Sequence, residues 1–239
     1  MVLLLHGSAD SEGCWRGVMG ELAGRFRLAA PSLPGSRGSV GSQSRAIDLD
    51  LPWLSTLIEG LQPLAVIGHS YGALLALAAA EAGVWRGPVG LIEPIAFGLL
   101  APGERAAIDA LNARFFGALD AGDAAGALRG LVEYWNGPGS WDGLPASARD
   151  RLMQGLPHTR AEVASGRDDA TTAEGLMDLG PAAVLAGALT TRESLAVGRA
   201  LAAALGVPSQ SIDGAGHQAP RTHAVQVARR LGRWLDALT

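Results

Sequence analysis

A serine between two glycines is the part of this sequence best suited to chemistry. Ser70 stands at the centre of the pentapeptide G-H-S-Y-G at 68–72. A short apolar run at 64–67 precedes it, and an alanine- and leucine-rich run at 73–81 follows it. This order predicts a buried strand, an abrupt turn and a helix. The turn would strain the serine backbone, and free N–H groups at the helix N-terminus would favour negative charge developing beside it.

A serine hydroxyl is a weak nucleophile and needs a base within hydrogen-bond reach, and the base needs a partner that fixes its tautomer. His217 is the best candidate for the base. It follows the last predicted strand in Gly-Ala-Gly-His at 214–217, so it should lie at the same edge of a parallel sheet as Ser70. The other histidines occupy less suitable places in the chain: His6, His69, His158 and His223.

These motifs resemble the α/β-hydrolase-fold superfamily, with Gly68-His69-Ser70-Tyr71-Gly72 as the nucleophile elbow of a serine hydrolase. The late Gly-x-Gly-His ending at His217 and the order of nucleophile before histidine are similar to that family as well. The family commonly ends an early strand in His-Gly, as at residues 6–7, where a loop supplies half of an oxyanion hole. The resemblance implies that the backbone N–H groups of Ser8 and Tyr71 are the oxyanion donors.

The acid of a triad is where the sequence departs from the family pattern. The usual aspartate would fall on Thr190, which cannot carry a negative charge. Glu93 follows the strand directly after the elbow helix, where some relatives carry their acid, and we favour it. Glu193 is the nearest carboxylate to the usual place. Another carboxylate such as Asp213, or a dyad without an acid, stays open.

Strands that alternate with helices predict an α/β fold with a mostly parallel sheet covered by helices on both faces. The chain begins at what would be the central strand, so the family's further edge strands are expected to be absent and the next strand to be exposed. The turn-rich loop at 31–39 resembles a structural loop of the family. Strands are predicted at 2–5, 26–30, 64–67, 89–92, 181–186 and 207–212, and core helices at 15–22, 47–61, 73–81, 194–205 and 224–238.

Strand patterns stop between residues 101 and 179, where the sequence predicts helices at 105–119, 124–135, 146–156 and 172–179. We therefore predict a hydrolase core at 1–98 and 180–239 and an inserted helical lid at 99–179. Within the lid, His158 and the cluster at 167–169 are expected at the surface. Four side chains are candidates for the substrate pocket, although the tryptophans, with Tyr134, could instead pack the lid onto the core: His6, His69, Trp135 and Trp141.

Composition excludes several classes of protein. With 48% hydrophobic and 18% charged residues in 239, the chain is globular, and its net charge of −4 gives no basic field for nucleic acid or acidic membranes. The single cysteine, Cys14, excludes an internal disulfide. No apolar run could span a bilayer, and no phosphate loop, dinucleotide fingerprint or metal-ligand spacing occurs. We expect a cytoplasmic protein without a cofactor or metal, and the oligomeric state stays open.

The leading prediction is an enzyme of the carboxylic ester hydrolase class that acts by acyl transfer on small or medium esters. The same residues would also serve a carbon–carbon bond hydrolase, a lactonase or a cofactor-free lyase. Ser70 in place of an aspartate argues against dehalogenase and epoxide hydrolase chemistry. A non-catalytic relative that binds a small molecule is the third alternative, and only the threonine at position 190 favours it.

Overall fold

A computed structural model describes residues 1–34 and 45–239. Residues 35–39 of the loop predicted at 31–39 lie outside the described residues. The described strands form one sheet of six parallel strands in the order β2-β1-β3-β4-β5-β6. The strands are β1 (Val2–Leu5), β2 (Leu28–Ala29), β3 (Ala65–His69), β4 (Val89–Ile92), β5 (Ala182–Gly187) and β6 (Ser209–Ile212).

The strand pairing brings the carboxyl ends of the four strands from β3 to β6 to one edge of the sheet. His69 is in register with Ile92, and Ile92 with Leu185 on the next strand. The residues that follow β3 and β4 therefore start side by side. The predicted exposed edge belongs to β2, which has only two residues and pairs with β1 alone, as expected for a short edge strand.

Helices cover both faces of the sheet. They are α1 (Arg16–Leu22), α2 (Ile47–Leu61), α3 (Tyr71–Glu81), and, after the insertion described below, α8 (Arg192–Ala204), α9 (Ala219–Thr222) and α10 (Ala224–Asp236). Side chains that alternate along each strand divide into two apolar cores. One core contains Leu3 and Val66 and packs against α2, α3 and α8. The other contains Leu4 and Ile67 and packs against α1 and α10.

Between β4 and β5 the chain forms four further helices, which we call the helical insertion. They are α4 (Pro102–Asp120), α5 (Ala124–Asn136), α6 (Ala146–Gln154) and α7 (Leu156–Arg167). A small apolar core holds α4, α5 and α7 together and includes Leu111, Phe115 and Leu131. Among the described residues, no helix combines the length and the apolar character that crossing a membrane requires.

One helix predicted in the insertion is wrong, and one helix of the structure has no counterpart in the prediction. The helix expected at 172–179 is only a short 3-10 turn over Glu174–Leu176. There the N–H of Thr172 bonds to the Glu81 carboxylate instead of starting a helix. Conversely, α7 was not predicted, because most of its buried positions are small or polar residues that give no apolar period.

Candidate active site

Ser70 sits at a strained turn between β3 and α3. Its backbone has φ of 54° and ψ of −115°, a conformation that side chains rarely adopt. A Cβ on Gly68 would lie 2.3 Å from the carbonyl oxygen of Gly72, and a Cβ on Gly72 would lie 2.3 Å from that of Leu5. The turn therefore requires both glycines, and the packing around it holds the serine in its strained conformation.

A chain of hydrogen bonds runs inward from Ser70. The Ser70 hydroxyl oxygen lies 3.0 Å from Nε2 of His217. On the other side of the ring, Nδ1 of His217 lies 3.1 Å from Oε2 of Glu93. When Nδ1–H donates to the carboxylate, Nε2 is free to accept the serine proton. All three side chains are buried, and only 6% of the Ser70 surface is exposed.

Glu93 directly follows β4 and is fully buried with φ of 50°. Its Oε1 accepts the N–H of Gly187 at 2.5 Å, and its Oε2 accepts the hydroxyl of Thr190 at 2.7 Å. Burial raises the pKa of the Glu93 carboxyl, but bonding to His217, Thr190 and Gly187 outweighs burial, so the pKa is lowered. The site thus holds a carboxylate that stays charged behind the imidazole.

The two other carboxylates that the sequence left open have different partners. Oε2 of Glu193, at the start of α8, accepts the hydroxyl of Tyr134 at 2.8 Å. Asp213 is exposed, and its backbone carbonyl accepts a bond from the Gln226 side chain. The structure therefore brings Glu93, and neither of these two, against the imidazole of His217.

A second histidine holds the loop that carries His217. His69 is buried, and its Nε2–H donates to the backbone carbonyl oxygen of His217 at 2.8 Å. Burial first, and the neighbouring His217 second, lower the pKa of His69 to about 4. His69 is therefore neutral at physiological pH. This contact is typical of a support for the His217 loop rather than a surface that a substrate would touch.

The loop after β1 passes directly behind the serine. We call residues 6–9 the oxyanion loop, after the role that the sequence predicts for the N–H of Ser8. A Cβ on Gly7 would lie 2.9 Å from the Ser70 Cβ, so the backbone comes very close there. His6 is buried and fixes this loop: Nδ1 lies 2.9 Å from the Gly7 carbonyl oxygen, and Nε2 accepts the N–H of Leu33 at 3.1 Å. With both ring nitrogens bonded to backbone, His6 has no polar group left for a substrate.

The two residues expected to donate to an oxyanion lie on either side of this close approach. Ser8 follows Gly7 in the oxyanion loop, and Tyr71 is the first residue of α3. Backbone N–H groups in the first turn of a helix have no partner within the helix. The Tyr71 phenol is itself anchored, since it donates to Oδ2 of the buried Asp50 on α2 at 2.7 Å.

Of the aromatic residues predicted near the pocket, Trp135 lies against the base. Its ring stacks on His217 with centroids 4.2 Å apart and 25° between the planes. Phe97 stacks on Trp135 in turn, with centroids 6.5 Å apart. Trp141 is buried in the loop after α5, and Tyr134 ties α5 to Glu193 on the core. The insertion thus reaches the site chiefly through Trp135.

The expectation of a surface position for His158 is wrong. Only 5% of His158 is exposed, and its Nε2 lies 2.9 Å from Oε1 of Glu162, one turn further along α7. Glu162 is fully buried, and its Oε2 accepts the N–H of Ala9 at 3.2 Å. Neither Glu162 nor Asp50 stands out in the sequence, because charged residues in a helix pattern are usually solvated. The His158–Glu162 spacing of four was the available signal.

In the parts of the chain that the structure describes, no group of three or more His, Cys, Asp or Glu side chains is arranged to hold a metal ion. Cys14 is buried in the core, and burial raises the pKa of its thiol. A thiol that resists ionisation is a poor nucleophile. Neither feature changes the chemistry that the serine and histidine could carry.

Comparisons with known proteins bear on the family and the fold. A family model described as "Alpha/beta hydrolase family" matches residues 2–230. The fold is similar to that of MenH from S. aureus, with a TM-score of 0.74, 17% identity, and coverage of 100% of this chain and 94% of that one. It is also similar to a putative lipase from Acinetobacter baumannii AYE, with a TM-score of 0.73, 19% identity, and coverage of 99% and 83%.

A further structural likeness is to the enol-lactonase from Burkholderia xenovorans LB400, with a TM-score of 0.68, 18% identity, and coverage of 98% of this chain and 90% of that one. Among curated proteins, 84 residues are 36% identical to the magnesium-chelatase 30 kDa subunit of Rhodobacter capsulatus. That alignment covers 32% of this chain and 28% of the subunit. At sequence identities of 17–19%, the structural neighbours show the fold but do not identify a substrate.

Proposed function

Because the chain belongs to the alpha/beta hydrolase family, we propose that it is a serine hydrolase that transfers the acyl group of a small or medium carboxylic ester to water. One observation carries the proposal. The strained Ser70 contacts His217 at 3.0 Å, and His217 contacts the buried Glu93 at 3.1 Å. These contacts supply the base, and the partner of the base, that a serine nucleophile needs.

In the proposed reaction, the Ser70 oxygen attacks the ester carbonyl while its proton passes to Nε2 of His217. The ring then carries a positive charge, which the Glu93 carboxylate stabilises through Nδ1–H. The lowered pKa of Glu93 fits this role, because the carboxyl must be ionised throughout. Thr190 and the Gly187 N–H hold the carboxylate in place during the step.

The carbonyl oxygen gains negative charge as the carbon becomes tetrahedral. We propose that the backbone N–H groups of Ser8 and Tyr71 receive it, helped by the N-terminal end of α3. Removal of one such donor in other hydrolases costs on the order of 10²–10³ in rate. The close approach of Gly7 to Ser70 supports this proposal, because it brings the backbone just before Ser8 next to the nucleophile.

Departure of the alcohol ends the first half of the reaction: His217 gives its proton to the leaving alcohol, and an acyl group stays on Ser70. The second half uses the same groups, with water in place of the alcohol. A water molecule then gives a proton to Nε2 of His217 and attacks the acyl carbon. Collapse of the second tetrahedral intermediate releases the carboxylic acid and returns the proton to Ser70.

The surroundings of the base support the proposed substrate class. Trp135 stacks on His217, Phe97 stacks on Trp135, and Phe97 and the buried Ile95 pack against Gly166 of α7. These side chains offer mainly apolar contacts beside the base. We propose that the helical insertion acts as a lid over the acyl group and that short or medium apolar acids fit best.

A fluorophosphonate probe tests the proposal, because it modifies only a serine that is activated by a base. We expect wild-type protein to label, Ser70→Ala not to label, and Ser147→Ala, which changes an exposed serine of α6, to label as well as wild type. A series of p-nitrophenyl esters from acetate to decanoate then measures chain-length preference. A folded wild type that neither labels nor turns over any ester would overturn the proposal.

A further inference from the structure

Glu162 is a carboxylate in a place where a charge is costly. It lies on α7 in the helical insertion and has no exposed surface. A buried carboxyl group is costly without polar partners, so its contacts indicate what it does. Two contacts are present: Oε2 accepts the N–H of Ala9 at 3.2 Å, and Oε1 lies 2.9 Å from Nε2 of His158.

The contact with Ala9 acts on a strained piece of backbone. Ala9 has φ of 55°, which a non-glycine residue rarely adopts without outside support. Its N–H belongs to the peptide group that links it to Ser8. A bond from that N–H to a carboxylate fixes the orientation of this peptide group and helps to offset the strain.

The preceding peptide group is fixed as well, from the other side. The N–H of Ser8 and the carbonyl of Gly7 belong to one planar peptide group and point in opposite directions. Because His6 Nδ1 contacts the Gly7 oxygen at 2.9 Å, it also sets the direction of the Ser8 N–H. Glu162 and His6 therefore hold the two consecutive peptide groups that flank the Ser8 Cα.

The second carboxylate oxygen of Glu162 has its partner within the same helix, since Oε1 lies 2.9 Å from Nε2 of the buried His158. Burial lowers the pKa of His158, but Glu162 and Asp50 raise it more, so the pKa is raised overall. The two oxygens of the carboxylate are thus held from different sides, by His158 and by the N–H of Ala9.

We propose that Glu162 is a positioning residue that holds the oxyanion loop so that the Ser8 N–H faces the reacting oxygen, an inference that rests on the proposed hydrolase function. It acts through Ala9 and does not touch the reacting atoms. The helical insertion would then have a second role besides covering the substrate. Through the bond from Ala9 to Glu162, it would also support the oxyanion site of the core.

The test compares Glu162→Met, which keeps the length of the side chain but removes the acceptor, with Glu162→Gln, whose amide oxygen can still accept from Ala9. We expect Glu162→Met to lower kcat by about tenfold or more with KM within about threefold of wild type. We expect Glu162→Gln to keep most of kcat. Glu104→Met is the matched control, because Glu104 of α4 also accepts a backbone N–H, that of Ala101, at the start of the insertion.

Inhibition by phenylboronic acid reports on the oxyanion site directly, because its tetrahedral serine adduct places an oxygen there. Its inhibition constant should rise in Glu162→Met in parallel with the loss of kcat/KM and stay near wild type in Glu162→Gln and Glu104→Met. Amide exchange of Ala9, followed by NMR, should accelerate by about tenfold or more in Glu162→Met alone. This last measurement does not depend on turnover.

The outcomes separate the two proposals. An inactive, unlabelled wild type would overturn the hydrolase function and the positioning role together. An active wild type with unchanged kcat in Glu162→Met, or with unchanged Ala9 exchange, would overturn the positioning role alone. Should Glu162→Met fail to fold, Glu162→Gln decides: an approximately tenfold loss of boronate affinity in that variant contradicts the role of the acceptor.

Discussion

The ends of β4 and β5 lie side by side in the sheet, yet they contribute different groups to the site. The residue after β4 is Glu93, which contributes a carboxylate. The end of β5 and the turn after it contribute two hydrogen-bond donors, the N–H of Gly187 and the hydroxyl of Thr190. The resembled family usually has its acid where this chain has Thr190. In this chain the carboxylate stands one strand earlier, and the neighbouring end hydrogen-bonds to it. The geometry at the sheet edge, rather than the order along the chain, determines which residue can partner His217.

Removing the carboxylate from β4 should have the largest effect. Glu93→Gln keeps the shape but loses the charge that stabilises the imidazolium, and an amide can hold His217 in the wrong tautomer. We expect kcat for the best p-nitrophenyl ester to fall by on the order of 10³–10⁴. Glu193→Gln is the control and should remain within about threefold of wild type, because Glu193 bonds to Tyr134 instead. Equal losses in the two variants would contradict the assignment of Glu93.

Moving the carboxylate to β5 should have an intermediate effect. The double variant Glu93→Gln/Thr190→Asp puts a carboxylate at position 190. In the wild type, the Thr190 hydroxyl lies 2.7 Å from Oε2 of Glu93. We expect kcat to recover by about tenfold or more over Glu93→Gln alone, short of wild type because the aspartate lacks the Gly187 bond. Glu93→Gln/Thr191→Asp is the matched control, since Thr191 caps α8 and an aspartate can do the same. No gain over this control would show that the end of β5 cannot take over the role.

Removing the donor from β5 should have the smallest effect. The pKa of Glu93 lies below its ordinary value of 4.5, so its ionised form stabilises the fold above about pH 4.5, and this contribution is lost as pH falls through the lowered pKa. Thr190→Val removes one bond to that charge and should lower the free energy of unfolding by about 1–2 kcal/mol at pH 7. The difference should shrink below pH 4.5, as measured by urea unfolding. Thr56→Val, an exposed change on α2, should show no such pH dependence.

The core and the serine could be predicted from the sequence because local patterns dictate both. Buried apolar runs between turn residues predict β1 and β4 with the same first and last residues that the structure has. Gly68 is required by a backbone contact with Gly72, only four residues further along the chain, so the pentapeptide itself indicates the turn. Family membership and the α/β fold are confirmed by the match over residues 2–230. The catalytic roles of Ser70, His217 and Glu93 stay predictions until the variants are measured.

The supports of the site could not be predicted, because they depend on contacts between distant parts of the chain. Glu162 meets Ala9 across 153 positions, and His69 meets the His217 carbonyl across 148. In sequence, a glutamate four residues after His158 looks like one side of a solvated helix. Its burial follows from the way α7 packs over the core, which local periodicity does not encode.

The strained elbow also limits which amino-acid substitutions this sequence can accept during evolution. At positions 68 and 72, every amino-acid replacement adds a Cβ about 2.3 Å from a backbone oxygen, so no replacement there is neutral. Positions 69 and 71 carry side chains bonded to distant partners, the His217 carbonyl and Asp50. Mutations arriving one at a time therefore meet a physical obstacle at each of the four positions around Ser70. A change in a distant part of the chain could compensate at positions 69 and 71, but the obstacle at positions 68 and 72 is the backbone itself.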